Sequence, residues 1–282
     1  MKDIKVGIVG LGRLGSVHAQ NLAFKIPGCK LVAACSLEQK ELDWAKDYLK
    51  VEYTTTDYKK MVDEADIEAV VIVSSSPEHC WMIEYALDAG KHVFTDKPLG
   101  CSLEECKRAE AAVERHPDKL FFLGFMRRYD EGYKQLKAAV DSGKYGEALL
   151  LHCAHRNPSV PDDWDNSMAV ENSMVHEIDV LRWLLGEDYA TAEVRYGKST
   201  NNGPKDLHDP QIMILTTKSG VRIDVESFVN NKNDYDIKCE IVCDGAVLNM
   251  PKPNYISVNA NATTGQAMYT DCFQRFADAY NA

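Results

Sequence analysis

Three groups of residues in this 282-residue chain have types and spacings suited to chemistry. The run Gly10-Leu11-Gly12-Arg13-Leu14-Gly15 has G-x-G-x-x-G spacing. It follows a short apolar run and opens a helix-like one, and that context turns a weak pattern into a dinucleotide signature. Gly10 permits a tight turn, Gly12 lets backbone approach a pyrophosphate, and Gly15 lets helix and strand pack closely. The helix start then offers N–H groups and a positive dipole end to the anion, with Arg13 and Leu14 in the same loop. The second group is Thr95-Asp96-Lys97-Pro98, which sets Lys97 at the carboxyl end of an apolar strand, where parallel sheets bind ligands. The third is a polar row, Asn172, His176, Asp179 and Arg182, beside an apolar stripe of Val175, Ile178, Leu181 and Leu185. A lone histidine on such a helix is ordinarily structural. In a chain that already carries a dinucleotide loop, a polar row holding it points to catalysis.

The elements that must position these groups can be read from periodicity. Apolar runs at Ile4–Val9, Leu31–Cys35, Ala69–Val73, His92–Thr95 and Phe121–Phe125 predict strands. Between them, Leu14–Ala23, Lys40–Leu49, Asp57–Glu64, Glu78–Ala89 and Leu103–Arg115 read as helices, with Ser102 and Glu105 forming a capping box. Strands that are apolar on both faces, alternating with helices, predict an open, doubly wound parallel sheet of the Rossmann type over residues 1–125. Residues 126–282 read as an α+β domain with a large, mostly antiparallel sheet, serving substrate binding and oligomerisation. Its elements are a helix at Glu131–Ser142, a strand at Ala148–His155, a polar loop at Arg156–Ala169 and a helix at Met174–Leu185 stopped by Gly186. Strands follow at Ala192–Tyr196, Gln211–Thr217, Val221–Phe228, Asp236–Cys243 and Ala246–Asn249, and a last helix at Thr270–Tyr280.

Composition narrows the partners. The net charge of −11 argues against nucleic acid and anionic membrane surfaces. No apolar run approaches 18 residues and the N-terminal run is too short for a signal-peptide core. Nine cysteines, an odd number without any C-x-x-C, read as reduced, core-filling thiols of a cytoplasmic protein. No metal is expected. In His152-Cys153-Ala154-His155 strand alternation separates His152 from Cys153, and His176-Glu177-Ile178-Asp179 lacks the second histidine of a metalloprotease helix. The acidic residue that usually bonds the adenosine ribose at the end of the second strand is replaced by Ser36. Serine can bond a ribose hydroxyl or a 2′-phosphate, and Lys40 would favour the phosphate, but no arginine stands nearby to clamp it. NAD and NADP both stay open, with NAD favoured.

Taken together, the glycine loop, Asp96-Lys97-Pro98, Gly124-Phe125-Met126-Arg127-Arg128-Tyr129-Asp130, His155-Arg156-Asn157, His176-Glu177-Ile178-Asp179 and Tyr235-Asp236-Ile237-Lys238-Cys239-Glu240 resemble the glucose-fructose oxidoreductase / inositol dehydrogenase / rhizopine-catabolism (Gfo/Idh/MocA) family. The resemblance runs over nearly the whole chain. It implies an NAD(P)-dependent oxidoreductase moving a hydride between a secondary alcohol of an inositol-like polyol, or a keto-sugar, and nicotinamide. It implies that Lys97 sits between substrate and nicotinamide and that His176 takes the hydroxyl proton, with Arg127, His155, Asn157, Asn172, Asp179 and Tyr235 lining or supporting the polyol pocket. A homo-oligomer, dimer or tetramer, is implied as well. The chemistry agrees: imidazole suits proton removal near neutral pH, and an ammonium stabilises a developing alkoxide.

Two departures stand out. Relatives carry aspartate four residues before the histidine, where this chain has Asn172. An amide can orient an imidazole but does not stabilise imidazolium as a carboxylate does, so a weaker base or a different polyol is expected. The chain also stops at the start of a helix that relatives continue, which reads as a shortened chain or as a natural lack of the terminal helices. Both departures lend weight to a rival reading, a non-catalytic dinucleotide-binding sensor or scaffold of the same fold.

Overall fold

The computed structural model describes residues 2–250, 257–260, 263–266 and 280. The chain divides into two compact units, residues 1–126 with 273–282, and residues 127–272.

The first unit runs β1 (Ile4–Val9), α1 (Gly15–Phe24), β2 (Cys29–Cys35), α2 (Gln39–Asp47), β3 (Tyr53–Thr55), α3 (Tyr58–Glu64), β4 (Ala69–Ile72), α4 (His79–Asp88), β5 (His92–Thr95), α5 (Leu103–Arg115) and β6 (Phe121–Leu123). The strands form one parallel sheet in the order β3-β2-β1-β4-β5-β6. That is the doubly wound dinucleotide-binding order, with its switch point at the carboxyl ends of β1 and β4. Alternation along β1 explains the layering. Ile8 packs with Ala19, Leu22, Leu42 and Ala45 of α1 and α2, while Val9 packs with Met61, Ile83 and Ala109 of α3, α4 and α5. Each buried Val, Leu, Ile or Met among them contributes about 1.5–3 kcal/mol. The capping box forms: Ser102 Oγ accepts from Glu105 N–H at 3.2 Å, and the Glu105 carboxylate accepts from Cys101 N–H at 2.6 Å. Sequence periodicity misses β3, a half-buried edge strand of three residues that is too short to alternate visibly.

The second unit contains α6 (Glu131–Asp141), β7 (Ala148–Arg156), α7 (Asn166–Met168), a π-helical stretch at Ala169–Met174, α8 (Val175–Leu185), β8 (Tyr189–Tyr196), β9 (Gln211–Thr217), β10 (Arg222–Phe228), β11 (Asp236–Cys243), β12 (Val247–Asn249), and a pair of short strands, β13 (Ser257–Ala260) and β14 (Thr263–Gln266). The main sheet has the order β12-β11-β7-β10-β9-β8 and is antiparallel except for the parallel pair β7–β10. One face carries Leu151, Cys153, Met213, Ile223, Val225 and Ile241 against Tyr133 and Leu136 of α6 and Val180, Leu181 and Leu184 of α8. The other face carries charged side chains, among them Arg156 paired with both Glu226 and Asp236.

The largest departure from expectation lies ahead of α8. The segment expected to remain a loop as far as Ala169 turns helical at Asn166, where Asp165 caps it by accepting from Met168 N–H at 3.0 Å. The π-helical stretch then takes more residues per turn than an α-helix. Its polar Asn172 and Ser173, on that wider turn, interrupt the 3.6-residue rhythm from which the helix start at Met174 was read. Gly186, at φ +71°, ends α8 as expected. The helix expected at Thr270–Tyr280 lies outside the described residues except for Tyr280, whose ring sits in the first unit 4.5 Å from Phe94 and whose hydroxyl bonds His18 Nδ1.

Candidate active site

In the first unit the glycines differ in what holds them. Gly10 adopts φ +86°, and a Cβ there would lie 2.4 Å from the Val73 carbonyl oxygen. A Cβ on Gly15 would lie 2.0 Å from the Gly10 carbonyl oxygen. At Gly12 nothing lies within 4 Å. The fold therefore requires Gly10 and Gly15, while Gly12 leaves open space above the turn. No side chain caps α1 and no acidic residue lies in its first turn, so its leading N–H groups suit an anion. Arg13 is exposed beside Gly12, and Leu14 is half-buried at the helix start. These features fit a dinucleotide pyrophosphate.

The Ser36 hydroxyl at the end of β2 is already engaged. It donates to Glu41 Oε2 at 2.5 Å and accepts from Glu38 N–H at 3.1 Å. Glu41 was absent from the sequence reading. The available signal was an acidic residue one turn into the helix that follows a strand end lacking its usual carboxylate.

Lys97 is half-buried after β5, and its N–H donates to Asp96 Oδ1 at 2.9 Å. Burial raises the Asp96 carboxyl above the ordinary carboxylate range, against the opposing pull of Lys97. Buried His79 holds this turn from behind, its Nδ1 lying 2.7 Å from the Pro98 carbonyl and its Nε2 3.1 Å from that of Ser74. His79 too went unread, because a single histidine opening a helix carries no pattern.

In the second unit, the segment around α8 presents a buried polar cluster. His176 is buried, with its ring centroid 6.2 Å from that of His155, and Asn172 lies on the π-helical stretch preceding it. Below them Glu177, Arg127 and His155 are each at most 2% exposed. Arg127 Nη1 donates to Glu177 Oε1, and its Nη2 donates to Tyr235 Oη at 3.2 Å. His155 Nδ1 lies 2.9 Å from Glu177 Oε2 and 3.1 Å from Arg127 Nη2. One ring nitrogen serves the carboxylate as a donor or the guanidinium as an acceptor, never both. Burial alone would raise the Glu177 carboxyl, but Arg127 and His155 override it and hold Glu177 below its ordinary value. Burial likewise lowers His155 in spite of Glu177. Tyr235 stands edge-on to His155, at 5.8 Å between rings. Asn157 Nδ2 reaches Ser173 Oγ at 3.5 Å.

The cluster thus brings together Arg127, His155, Tyr235 and His176, all named from sequence, and adds Glu177 as its hub. Asp179 is drawn aside by Arg128, which bonds both of its carboxylate oxygens. Arg127 is wholly enclosed, so its guanidinium acts on the cluster from within. Among the described residues no group of three His, Cys, Asp or Glu is placed to hold a metal ion. No helix among them is long and apolar enough to cross a membrane.

Comparison with known proteins agrees with this fold. Residues 4–125 match the Gfo/Idh/MocA oxidoreductase family with its NAD-binding Rossmann fold, and residues 133–249 match a C-terminal domain of the same family. The chain is 40% identical over 279 residues to an inositol 2-dehydrogenase of Burkholderia cenocepacia, covering 99% of this chain and 83% of the relative. The crystal structure of Lactobacillus casei myo-inositol dehydrogenase in complex with NAD(H) and myo-inositol is similar at TM-score 0.92 and 32% identity, over 99% of this chain and 83% of that one. The scyllo-inositol dehydrogenase of the same organism, with bound NAD(H) and scyllo-inositol, gives TM-score 0.91 and 33% identity, over 99% and 86%. The chain belongs to the Gfo/Idh/MocA family of NAD-binding oxidoreductases.

Proposed function

We propose that this protein is an NAD-dependent dehydrogenase of secondary alcohols on inositol-class polyols. The observation that carries the reading is the likeness, over 99% of the chain, to a dehydrogenase whose crystal structure holds both NAD(H) and myo-inositol. Gly10, Gly12, Arg13, Leu14 and Gly15 hold the pyrophosphate, and Ser36 faces the adenosine ribose. Bound NAD supplies the hydride acceptor. His176 takes the proton of the alcohol as its carbon gives up hydride, and Lys97 places an ammonium against the oxygen on which charge develops. Asn172 and Asn157 supply amides for orienting His176 and the substrate hydroxyls. The Arg127–Glu177–His155 cluster, with Tyr235, fixes the floor on which His176 stands, and Asp179 is held by Arg128.

The protein acts in a reducing cytoplasm and assembles as a homo-oligomer through the charged face of its second sheet. Sedimentation at micromolar concentration tests the assembly, and a stable monomer removes that part of the reading.

Cofactor reduction followed at 340 nm across a panel of inositols and sugars tests the activity. His176→Ala and Lys97→Ala are each expected to lower kcat by about 10²–10⁴-fold, with NADH binding retained. Asn172 favours a second reading, a dinucleotide-binding sensor. A protein that binds NADH and oxidises no member of the panel would establish the sensor instead.

A further inference from the structure

We propose that Glu41, acting together with Ser36, selects NAD against NADP. The inference rests on the dinucleotide reading of the glycine turn. Ser36 is buried at the carboxyl end of β2, and its backbone N–H is taken by the Thr55 carbonyl at 3.3 Å. Its hydroxyl proton is committed to Glu41 Oε2 at 2.5 Å, and the same oxygen accepts from Glu38 N–H. A hydroxyl has one proton to give. The two side chains that end this strand, Ser36 and Glu41, therefore offer a ribose acceptors only, the remaining lone pair of the hydroxyl and the carboxylate. Acceptors suit the 2′- and 3′-hydroxyls of an unmodified ribose, which donate. They repel a 2′-phosphate, which brings negative charge and no comparable donors.

The carboxylate that usually ends the second strand has thus been moved to the first turn of α2 and returned to the same place through Ser36. Lys40, the residue that could have drawn in a phosphate, is exposed and bonds neither Ser36 nor Glu41 among the described residues. Because a hydrogen bond to a charged acceptor is worth ten- to a hundredfold in affinity, roughly, Glu41 is sufficient to set the preference.

Fluorescence titration of the unliganded protein with NADH and with NADPH reads the preference without turnover. The wild type is expected to bind NADH about 100-fold more tightly than NADPH, and Glu41→Gln to shrink that ratio about tenfold or more. Lys40→Ala is expected to leave the ratio unchanged. Adding Ser36→Asp to Glu41→Gln is expected to restore it, which separates loss of the carboxylate from damage to α2. A wild type that binds both dinucleotides equally, or a Glu41→Gln ratio within about twofold of wild type, overturns the role of Glu41. A wild type that binds neither overturns the glycine-turn reading and this proposal with it.

Discussion

Gly15 lies against the carbonyl oxygen of Gly10 so closely that a Cβ would come within 2.0 Å of it, whereas a Cβ on Gly12 would meet nothing within 4 Å. The two glycines therefore answer to different constraints. Gly15→Ala is expected to destabilise the fold by about 1–3 kcal/mol through overpacking. Gly12→Ala is expected to leave the melting temperature within about 2 °C of wild type while weakening NADH binding about tenfold or more. Thermal melts and NADH titrations on both variants check this. A Gly12→Ala protein that binds NADH normally removes the case that its open space receives pyrophosphate.

Asn172→Asp puts a carboxylate on the π-helical stretch just ahead of His176. A negative charge near the imidazole favours imidazolium over imidazole. The acid limb of the kcat/KM profile should then move to higher pH, and the plateau above it should rise. An unchanged profile would mean that position 172 does not communicate with His176.

Glu177 holds two cations or donors in a space closed to water. Removing one partner of a buried ion pair strands the other charge, so Glu177→Gln is expected to lower stability by about 3–5 kcal/mol. The double variant Glu177→Met with Arg127→Met should recover part of that loss, because neither charge is then buried alone. The acid side follows the same pairing. Glu177 has a folded-state pKa below its unfolded value, so its contribution is full above the ordinary carboxylate range and is lost as pH falls through the folded value. Denaturant melts between about pH 6 and 3 should show a shallower acid limb in Glu177→Gln.

His18 gives a second pH dependence, whose window overlaps that of Glu177 and begins at higher pH. Burial lowers it from 6.5 to about 4, so it stays neutral, with Nδ1 hydrogen-bonded to the Tyr280 hydroxyl. The unfolded chain takes up a proton below 6.5 while the folded one does not, so stability falls from pH 6.5 down to about 4. The loss over that interval is roughly 3 kcal/mol. His18→Gln should flatten this part of the curve and leave the region below pH 4 unaffected. A wild type equally stable at both ends of the interval contradicts the assignment.

Much of the fold was legible because the first unit repeats one simple unit whose strands are apolar on both faces, because Gly10, Gly15 and Gly186 answer to backbone conformation or close approach, and because Ser102 caps its helix by a hydrogen bond. What escaped reading was either too short or too cooperative. Tyr53–Thr55 pairs only along the sheet edge. The π-helical stretch breaks the period by which helices are found. Glu41, His79 and Glu177 act through partners 5, 19 and 50 residues away in sequence, at Ser36, Pro98 and Arg127. The polar row of α8 predicted a shared role for Asp179 and His176, yet Arg128 claims Asp179, and that competition is settled only by tertiary proximity.

The position of β7 in its sheet bears on how the second unit is made. Its neighbours are β10 and β11, with Leu150 beside Arg222 and Cys153 beside Cys239. As the chain leaves the ribosome, β7 emerges with both edges bare and stays so through some seventy further residues, a period in which unsatisfied strand edges invite pairing with other chains. The strands of the first sheet, by contrast, have all been synthesised by Leu123. Synthesis speed and chaperone supply should therefore govern the yield of the second unit far more than that of the first.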